Sequence, residues 1–399
     1  MDLYHIDKTK KNKMKIVHVC ITGIWGEQYA YQENLLPHYQ RIMGNEVTII
    51  ASVYSKYKDG VPEKSAAGIS FLQDGTKLVR LNPLVPIWKL DSHLHLTKGL
   101  WKAIVEEKPD LLFLHDLCTF SYRCLPKLKK ALPKMHVVFD NHIDTVNSMH
   151  SFTTKFLHRF MYRHFLVPKL VRISDVIYGV TPSRCDFLHD VYGIPNEKIK
   201  LLMMGADDEK MKLGQKNEKR AEIRAKYGIS DDDFLIVTGG KIDLQKNIHV
   251  LAKAVNEIAD KNVKLLVFGS ITKDLEGVFD SLKSENVLII GWINSDKVYD
   301  YFYAADFVMF PGQHSVMWEQ AVASKVPCAF TKIDGFEHVN INENCVLMTE
   351  NTADYYKNLI LSLCKKDEKY QRLKENADSE KTGCFLYSNI ANKVLEDIQ

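Results

Sequence analysis

Short apolar runs alternate with amphipathic helical stretches along nearly the whole chain, and that alternation limits the available folds more than any other feature. Lys15–Ile21, Glu46–Ser52, Lys77–Leu81, Leu111–His115, Val137–Phe139 and Asp175–Val180 are dense in Val, Ile, Leu and Phe. They lack polar alternation, so they predict strands buried on both faces. Helical patterns separate them, over Glu27 to about Met43, His93–Glu107 and Tyr122–Leu132. After a charged stretch, Asp208–Lys226, the alternation resumes with Phe234–Val237, Val263–Phe268, Val287–Ile290, Phe307–Phe310, Cys328–Phe330 and Cys345–Met348. Helices are predicted between these strands over Ile248–Asp260, Asp274–Ser284 and Ser295–Ala304. Repeated βαβ units demand parallel sheets with helices on both faces. Two such runs predict an α/β chain of two doubly wound, Rossmann-like domains, and 399 residues are too many for one ordinary core.

Met1–Asn12 reads as a frayed lead-in, and Tyr54–Gly75 as loops with an edge strand. The lysines at 8, 10, 11, 13 and 15 precede an apolar run too short for a signal-peptide core or a membrane span. A cytoplasmic location is therefore expected. A net charge of +3 on this length gives no indication of a nucleic-acid partner. The 8 cysteines stand singly, with no CxxC pair and no zinc-ligand spacing, which fits reduced thiols.

Two stretches carry the chemistry. Ala304–Pro327 contains the run Phe307–Phe310, a Pro311–Gly312 stop, the polar turn Gln313–Ser315, and a helical pattern that ends before Pro327. A strand, a tight turn and a helix present backbone N–H groups to an anion, here at Ser315, Val316 and Met317. Glu319 lies in the first turns of that helix, where it can accept bonds from a diol or simply favour the helix dipole. Val237–Leu251, VTGGKIDLQKNIHVL, runs from a strand through Gly239–Gly240 to Lys241 and Lys246.

Together these stretches resemble the nucleotide-sugar site of the retaining GT-B glycosyltransferases of family 4. Lys241 and Lys246 match the family's basic pair, and Trp318–Glu319–Gln320 matches its Leu-Glu-Ala. The first Glu of the family's paired-Glu motif is missing, and His314 stands nearest its place. The resemblance covers most of the chain, is strong from Gly193 to Pro327 and is weak in Tyr54–Leu100. It implies a GT-B architecture, two Rossmann-like domains facing a central cleft. Residues 1–207 would bind acceptor, 208–380 would bind nucleotide sugar, and 381–399 would return to the first domain.

The resemblance also implies site roles. Gly23 and Gly26, in the turn after the first strand, would approach the donor phosphates. His142, in the Asp140–Asp144 tract that closes a strand, would face the acceptor and donor sugar. Lys241 and Lys246 would neutralise the departing diphosphate, Glu319 would hold the ribose hydroxyls, and His314 would touch the sugar or its phosphate. Gly240 and Gly269 would lie close to the donor, with the base near Trp292 and Ile293. No DxD motif closes an early strand, so transfer without a metal ion or other cofactor is expected. The implied reaction moves a sugar, from a UDP- or GDP-sugar, with retention, to a glycan or lipid-linked acceptor in surface polysaccharide synthesis. A nucleotide-sugar epimerase or hydrolase, or a non-catalytic binding module of the same fold, are the alternatives.

Ser151–Arg172 is basic and aromatic and has no acidic residue. Phe152, Phe156, Leu157 and Phe160 fall on one helical face. Two readings stay open: the helix lies on an anionic membrane, or it packs its aromatic face on the sheet.

Overall fold

A computed structural model describes residues 13–58, 61–85 and 95–399. The lead-in to residue 12, with the first three lysines, lies outside the described residues, as does the start of the helix expected at His93. The chain divides into two compact units, one formed by residues up to Met203 together with Ile390–Gln399, the other by Met204–Asn389.

The strands of the first unit are β1 (Lys15–Cys20), β2 (Glu46–Ser52), β3 (Tyr54–Lys58), β4 (Val61–Lys64), β5 (Gly68–Phe71), β6 (Lys77–Leu81), β7 (Leu111–His115), β8 (His136–Asp140), β9 (Val176–Gly179) and β10 (Ile199–Leu201). Eight of them form one sheet in the order β10-β9-β8-β7-β1-β2-β6-β5, parallel throughout except for the edge pair β5–β6. β3 and β4 form a separate antiparallel hairpin. Val17, Val19, Leu112, Leu114, Val137 and Phe139 are buried in the core, as continuous apolar strands require when helices cover both faces. From β1 the chain moves to one side through β2 and β6, then returns to the other through β7 and β8. The crevice between β1 and β7 is therefore the topological switch point, where open α/β sheets bind ligands at the carboxyl ends of their strands.

The second unit contains β11 (Phe234–Ile242), β12 (Val263–Ile271), β13 (Val287–Gly291), β14 (Phe307–Phe310), β15 (Cys328–Thr331) and β16 (Cys345–Met348). They form a wholly parallel sheet in the order β13-β12-β11-β14-β15-β16. Its switch point lies between β11 and β14. This is the two-domain Rossmann-like GT-B fold.

Several element boundaries differ from the expected ones. β11 and β12 do not stop at Val237 and Phe268 but continue to Ile242 and Ile271, paired in register with Gly240 opposite Gly269. The glycines therefore lie inside the ladder. A Cβ on Gly269 would stand 1.8 Å from the Gly240 carbonyl oxygen, and its φ of +123° is a conformation that favours glycine. Gly269→Ala should consequently destabilise the second unit by about 2 kcal/mol or more, combining backbone strain with overpacking. Urea unfolding of the variant checks this; a midpoint equal to wild type would show that the ladder relaxes freely. The helix after Gly26 spans Gln32–Ile42 rather than starting at Glu27, and the helix expected from His93 is described over Leu100–Glu107.

Candidate active site

The carboxyl ends of β1, β7 and β8 carry a buried chain of titratable groups. His115, the last residue of β7, places Nδ1 2.8 Å from Asp140 Oδ2 at the end of β8. His142 Nε2 reaches the same oxygen at 3.1 Å, and Gln32 Nε2 donates to it at 3.2 Å. The backbone N–H of Asp116 donates to Asp140 Oδ1 at 3.1 Å, and that of His142 donates to Asp116 Oδ1 at 2.9 Å. Behind them, His115 Nε2 lies 3.2 Å from His18 Nδ1 in the middle of β1, whose Nε2 pairs with Gln40 Oε1 at 2.8 Å.

Burial opposes the charge on Asp140, but the two imidazoles beside it outweigh burial and hold its carboxyl well below the usual range. Burial alone would depress His142, yet the Asp140 carboxylate raises it to about 9. His115 is raised well above its ordinary value by the same carboxylate, against its own burial. His18 is pushed down to about 3, first by burial and then by the charge of His115. The result is a neutral inner histidine and a cationic His142. Of the groups sharing the Asp140 oxygen, His142 is the histidine that reaches the surface, with 20% of its side chain exposed against 1% for His115.

Gly23 follows β1 with open space where a Cβ would stand, beside a narrow pocket lined by Cys20, Thr22, Trp25, Glu33 and His115. Gly26 has a different reason to be glycine: a Cβ there would meet the Ser55 carbonyl oxygen at 2.2 Å.

In the second unit the loops after β11 and β14 are knitted together at the switch point. Lys246 Nζ donates to the carbonyl oxygens of Gln313 at 2.6 Å and His314 at 3.4 Å. Asn247 Nδ2 donates to the Pro311 carbonyl at 3.0 Å, and the Gln313 N–H to the Gln245 carbonyl at 3.3 Å. Gly312 packs directly on the Gln245–Lys246 backbone, leaving no room for a Cβ. Met317 lies over Gly240, whose own Cβ would stand 2.5 Å from the Met317 methyl. Lys241 is paired with Asp243 at 3.5 Å and is largely exposed. Burial lowers the Lys246 pKa, and the charge of Lys241 adds to this against Asp243. Gly240, Gly269, Lys246, His314 and Met317 thus meet at the ends of β11, β12 and β14. Trp292 and Ile293 follow the end of β13, with Trp292 71% exposed.

Glu319 and His314 stand differently from the sequence expectation. Glu319 has no exposed surface, so in this conformation it offers no oxygen to a ribose diol. Its Oε1 instead accepts from Nε2 of both His314 and His338, each at 2.8 Å. Burial raises a carboxyl pKa, but these two imidazoles reverse the effect and pull Glu319 down to about 2. The His314 ring is turned inward among Trp318, Phe336 and His338. The physical reason is that a fully buried carboxylate must be paired, and the nearest donors are these rings. Glu319 Oε2 and His338 Nδ1 remain buried without a hydrogen-bond partner.

The sequence reading passed over His18, His115 and His338. His115 had one local signal, a lone polar residue closing an otherwise apolar strand. His338 sits in a single 3-10 turn, Glu337–Val339, with no pattern around it. Among the described residues two groups, Glu33–His115–His142 and His314–Glu319–His338, bring ligand-capable atoms within 4.8 Å of one another and could geometrically hold an ion.

Family models match both halves of the chain: Glycosyltransferase Family 4 over residues 30–210 and Glycosyl transferases group 1 over residues 219–380. The chain belongs to the family 4 glycosyltransferases. It is 21% identical over 285 residues to an uncharacterized glycosyltransferase of Methanocaldococcus jannaschii, covering 67% of this chain and 69% of that one. It is 26% identical over 242 residues to the alpha-monoglucosyldiacylglycerol synthase of Streptococcus pneumoniae. That match covers 58% of this chain and 53% of the synthase, so it spans about half the relative's length. The Anabaena protein Alr3699/HepE, solved in complex with UDP, superposes with a TM-score of 0.66 at 14% identity, covering 96% of this chain and 99% of that one. At that identity the likeness concerns the fold. The enzyme is thus a glycosyltransferase with a basic, glycine-lined switch point in its second unit and a histidine-carboxylate network in its first.

Proposed function

We propose that this glycosyltransferase moves a sugar, with retention, from a nucleoside diphosphate sugar to a glycan or lipid-linked acceptor, in the building of a surface polysaccharide or glycolipid. The donor nucleotide is UDP or GDP; the UDP held by Alr3699/HepE favours the first. The observation that carries this reading is the position of Lys246, held over the 313–314 carbonyls at the switch point between β11 and β14. A donor diphosphate there takes two cations, Lys246 and Lys241, as negative charge builds on the leaving group. The bare backbone at Gly240 and Gly269 lets β11, β12 and Met317 pack closely beneath the site, the Ser315–Met317 backbone N–H groups take the phosphate oxygens, and Trp292 with Ile293 supports the base.

Glu319 acts as a positioning residue. With His314 and His338 it fixes the turn that carries Ser315 and Val316, and His314 shapes the donor preference through that turn. In the first unit, Gly23 opens the turn after β1, and Gly26 holds that turn against β3. His142, cationic through Asp140, stabilises charge on the acceptor or the reacting sugar. The two lysines do the work a divalent ion does elsewhere, so we propose that transfer needs no metal.

Release of UDP, GDP or ADP from a panel of donor sugars, with and without acceptor extracts, tests the reaction class. Turnover that depends on acceptor supports transfer; donor breakdown or epimer formation without acceptor would assign the fold to another reaction. Activity is expected to survive EDTA unchanged. Loss in EDTA and recovery on adding Mn²⁺ would place a metal in the mechanism, with the two His/Glu groups as the first positions to mutate.

A further inference from the structure

Phe152–Val171 forms one continuous helical rod: an α-turn Phe152–Phe156, a π-helical segment Leu157–Leu166 and an α-turn Val167–Val171. The face it buries is His158, Tyr162, Leu166 and Leu170. His158 pairs with the Tyr192 hydroxyl at 2.8 Å, and the Tyr162 hydroxyl donates to the Cys118 carbonyl at 2.9 Å. The aromatic face is not packed on the sheet. Phe152 is 86% exposed, Phe156 49%, Phe160 46% and Phe165 52%. These rings form a stripe: Phe156 and Phe160 stack with centroids 5.2 Å apart, and Phe160 meets Phe165 at 5.8 Å. The wide π winding brings residues five apart onto one side, which α spacing would separate.

We propose that this stripe docks the enzyme on an anionic lipid bilayer. Around the four rings, Lys155, Arg159, Lys169 and Arg172 are exposed and carry no ion pair among the described residues. No acidic residue occurs between Ser151 and Arg172. An aromatic stripe flanked by unpaired cations matches an anionic interface, where rings enter the headgroup boundary and the cations stay with the phosphates. Arg163 is excluded from that role, since it donates to the carbonyls of Asp190 at 2.8 Å and Val191 at 2.9 Å. Among the described residues no helix is long and apolar enough to cross a membrane, so contact through this rod would be peripheral.

The rod is also tied to the first unit's candidate site. It starts ten residues after His142, and Asn147 Nδ2 between them donates to the His142 carbonyl at 3.1 Å. Docking here brings the end of β8 near the bilayer, which suits a lipid-linked acceptor; that consequence rests on the transferase reading above.

The test is flotation of the full chain with phosphatidylglycerol vesicles and with phosphatidylcholine vesicles, at low and high salt. The enzyme should float with the anionic vesicles alone and be released by salt. Each basic residue near such a surface is worth on the order of fivefold in binding. The triple variant Lys155→Glu, Arg159→Glu, Lys169→Glu should therefore lose binding on the order of a hundredfold or more. Phe156→Ser with Phe160→Ser should lose it at unchanged net charge, and both variants should keep donor turnover with a soluble acceptor. No flotation at low salt, or variants that float like wild type, would overturn the proposal while leaving the transferase reading intact. A wild-type dimer in sedimentation that the Phe variants dissociate would reassign the stripe to a contact between copies. Flotation without any turnover would uphold docking and count against the transferase reading alone.

Discussion

Lys246→Ala is expected to lower kcat/KM about a hundredfold or more, the scale of about 3 kcal/mol for removing one preorganised charge from a site. Lys246 is partly buried, and its ammonium is already aimed along the turn after β14 by the Gln313 and His314 carbonyls. A charge fixed in this way needs no reorganisation as the leaving group develops. Lys241 makes the useful comparison. Its side chain is 74% exposed and paired with Asp243, so solvent screens it more strongly and Lys241→Ala should cost less. Steady-state release of nucleoside diphosphate measures both. A Lys246→Ala enzyme within twofold of wild type would move the diphosphate site away from the β11–β14 crevice. The folded state should tolerate the change, because the lost bonds go to carbonyls near solvent.

Asp140→Ala should cost about 3–5 kcal/mol of stability, the range for removing one partner of a buried ion pair. Asp140 has no exposed surface, and its two oxygens accept from His115, His142, Gln32 and the Asp116 backbone. Without the carboxylate, buried His115 must give up its proton and the donors that faced Asp140 are left unpaired. The pH dependence follows from the direction of each shift. His142 is raised from 6.5 to about 9 on folding, so its contribution is complete below about 6.5 and is lost as pH rises through about 9. Asp140 is depressed, so its contribution is present above the ordinary carboxylate value and fades only in strong acid. Urea unfolding at pH 6 and pH 9.5 should show wild type losing stability toward the higher pH, and Asp140→Ala losing much less. Parallel losses in the two proteins would mean that this pair does not set the alkaline limb.

The fold was legible because a parallel sheet covered on both faces needs unbroken apolar strands, and runs such as Leu111–His115 and Phe307–Phe310 are too short for helices and are bounded by Pro109–Asp110 and Pro311–Gly312. His142 was placed from the rule that α/β sheets bind at the carboxyl ends of strands, and it stands just past β8, whereas Lys246 was placed from the glycines and basic spacing that resemble the family, and it stands in the loop after β11. Pairing across the sheet was not legible. His18 and His115 lie 97 residues apart and meet only because β7 returns to the far side of β1 and pairs with it in parallel. Glu319 sits on a helix in a pattern that suits a ligand-facing carboxylate, and nothing near it in sequence announces His338, whose proximity turns it inward. Gly239 and Gly240 read as the end of a strand, whereas the neighbouring β12 holds them in the ladder through Gly269. The face of Phe152, Phe156, Leu157 and Phe160 admitted both a buried and an exposed reading from periodicity alone. Tertiary packing decided it, by satisfying His158 and Tyr162 on the inner side and leaving the phenylalanines outside. Local sequence determines which elements form and where their polar ends fall; which buried charge finds which partner depends on contacts that only the closed sheet creates.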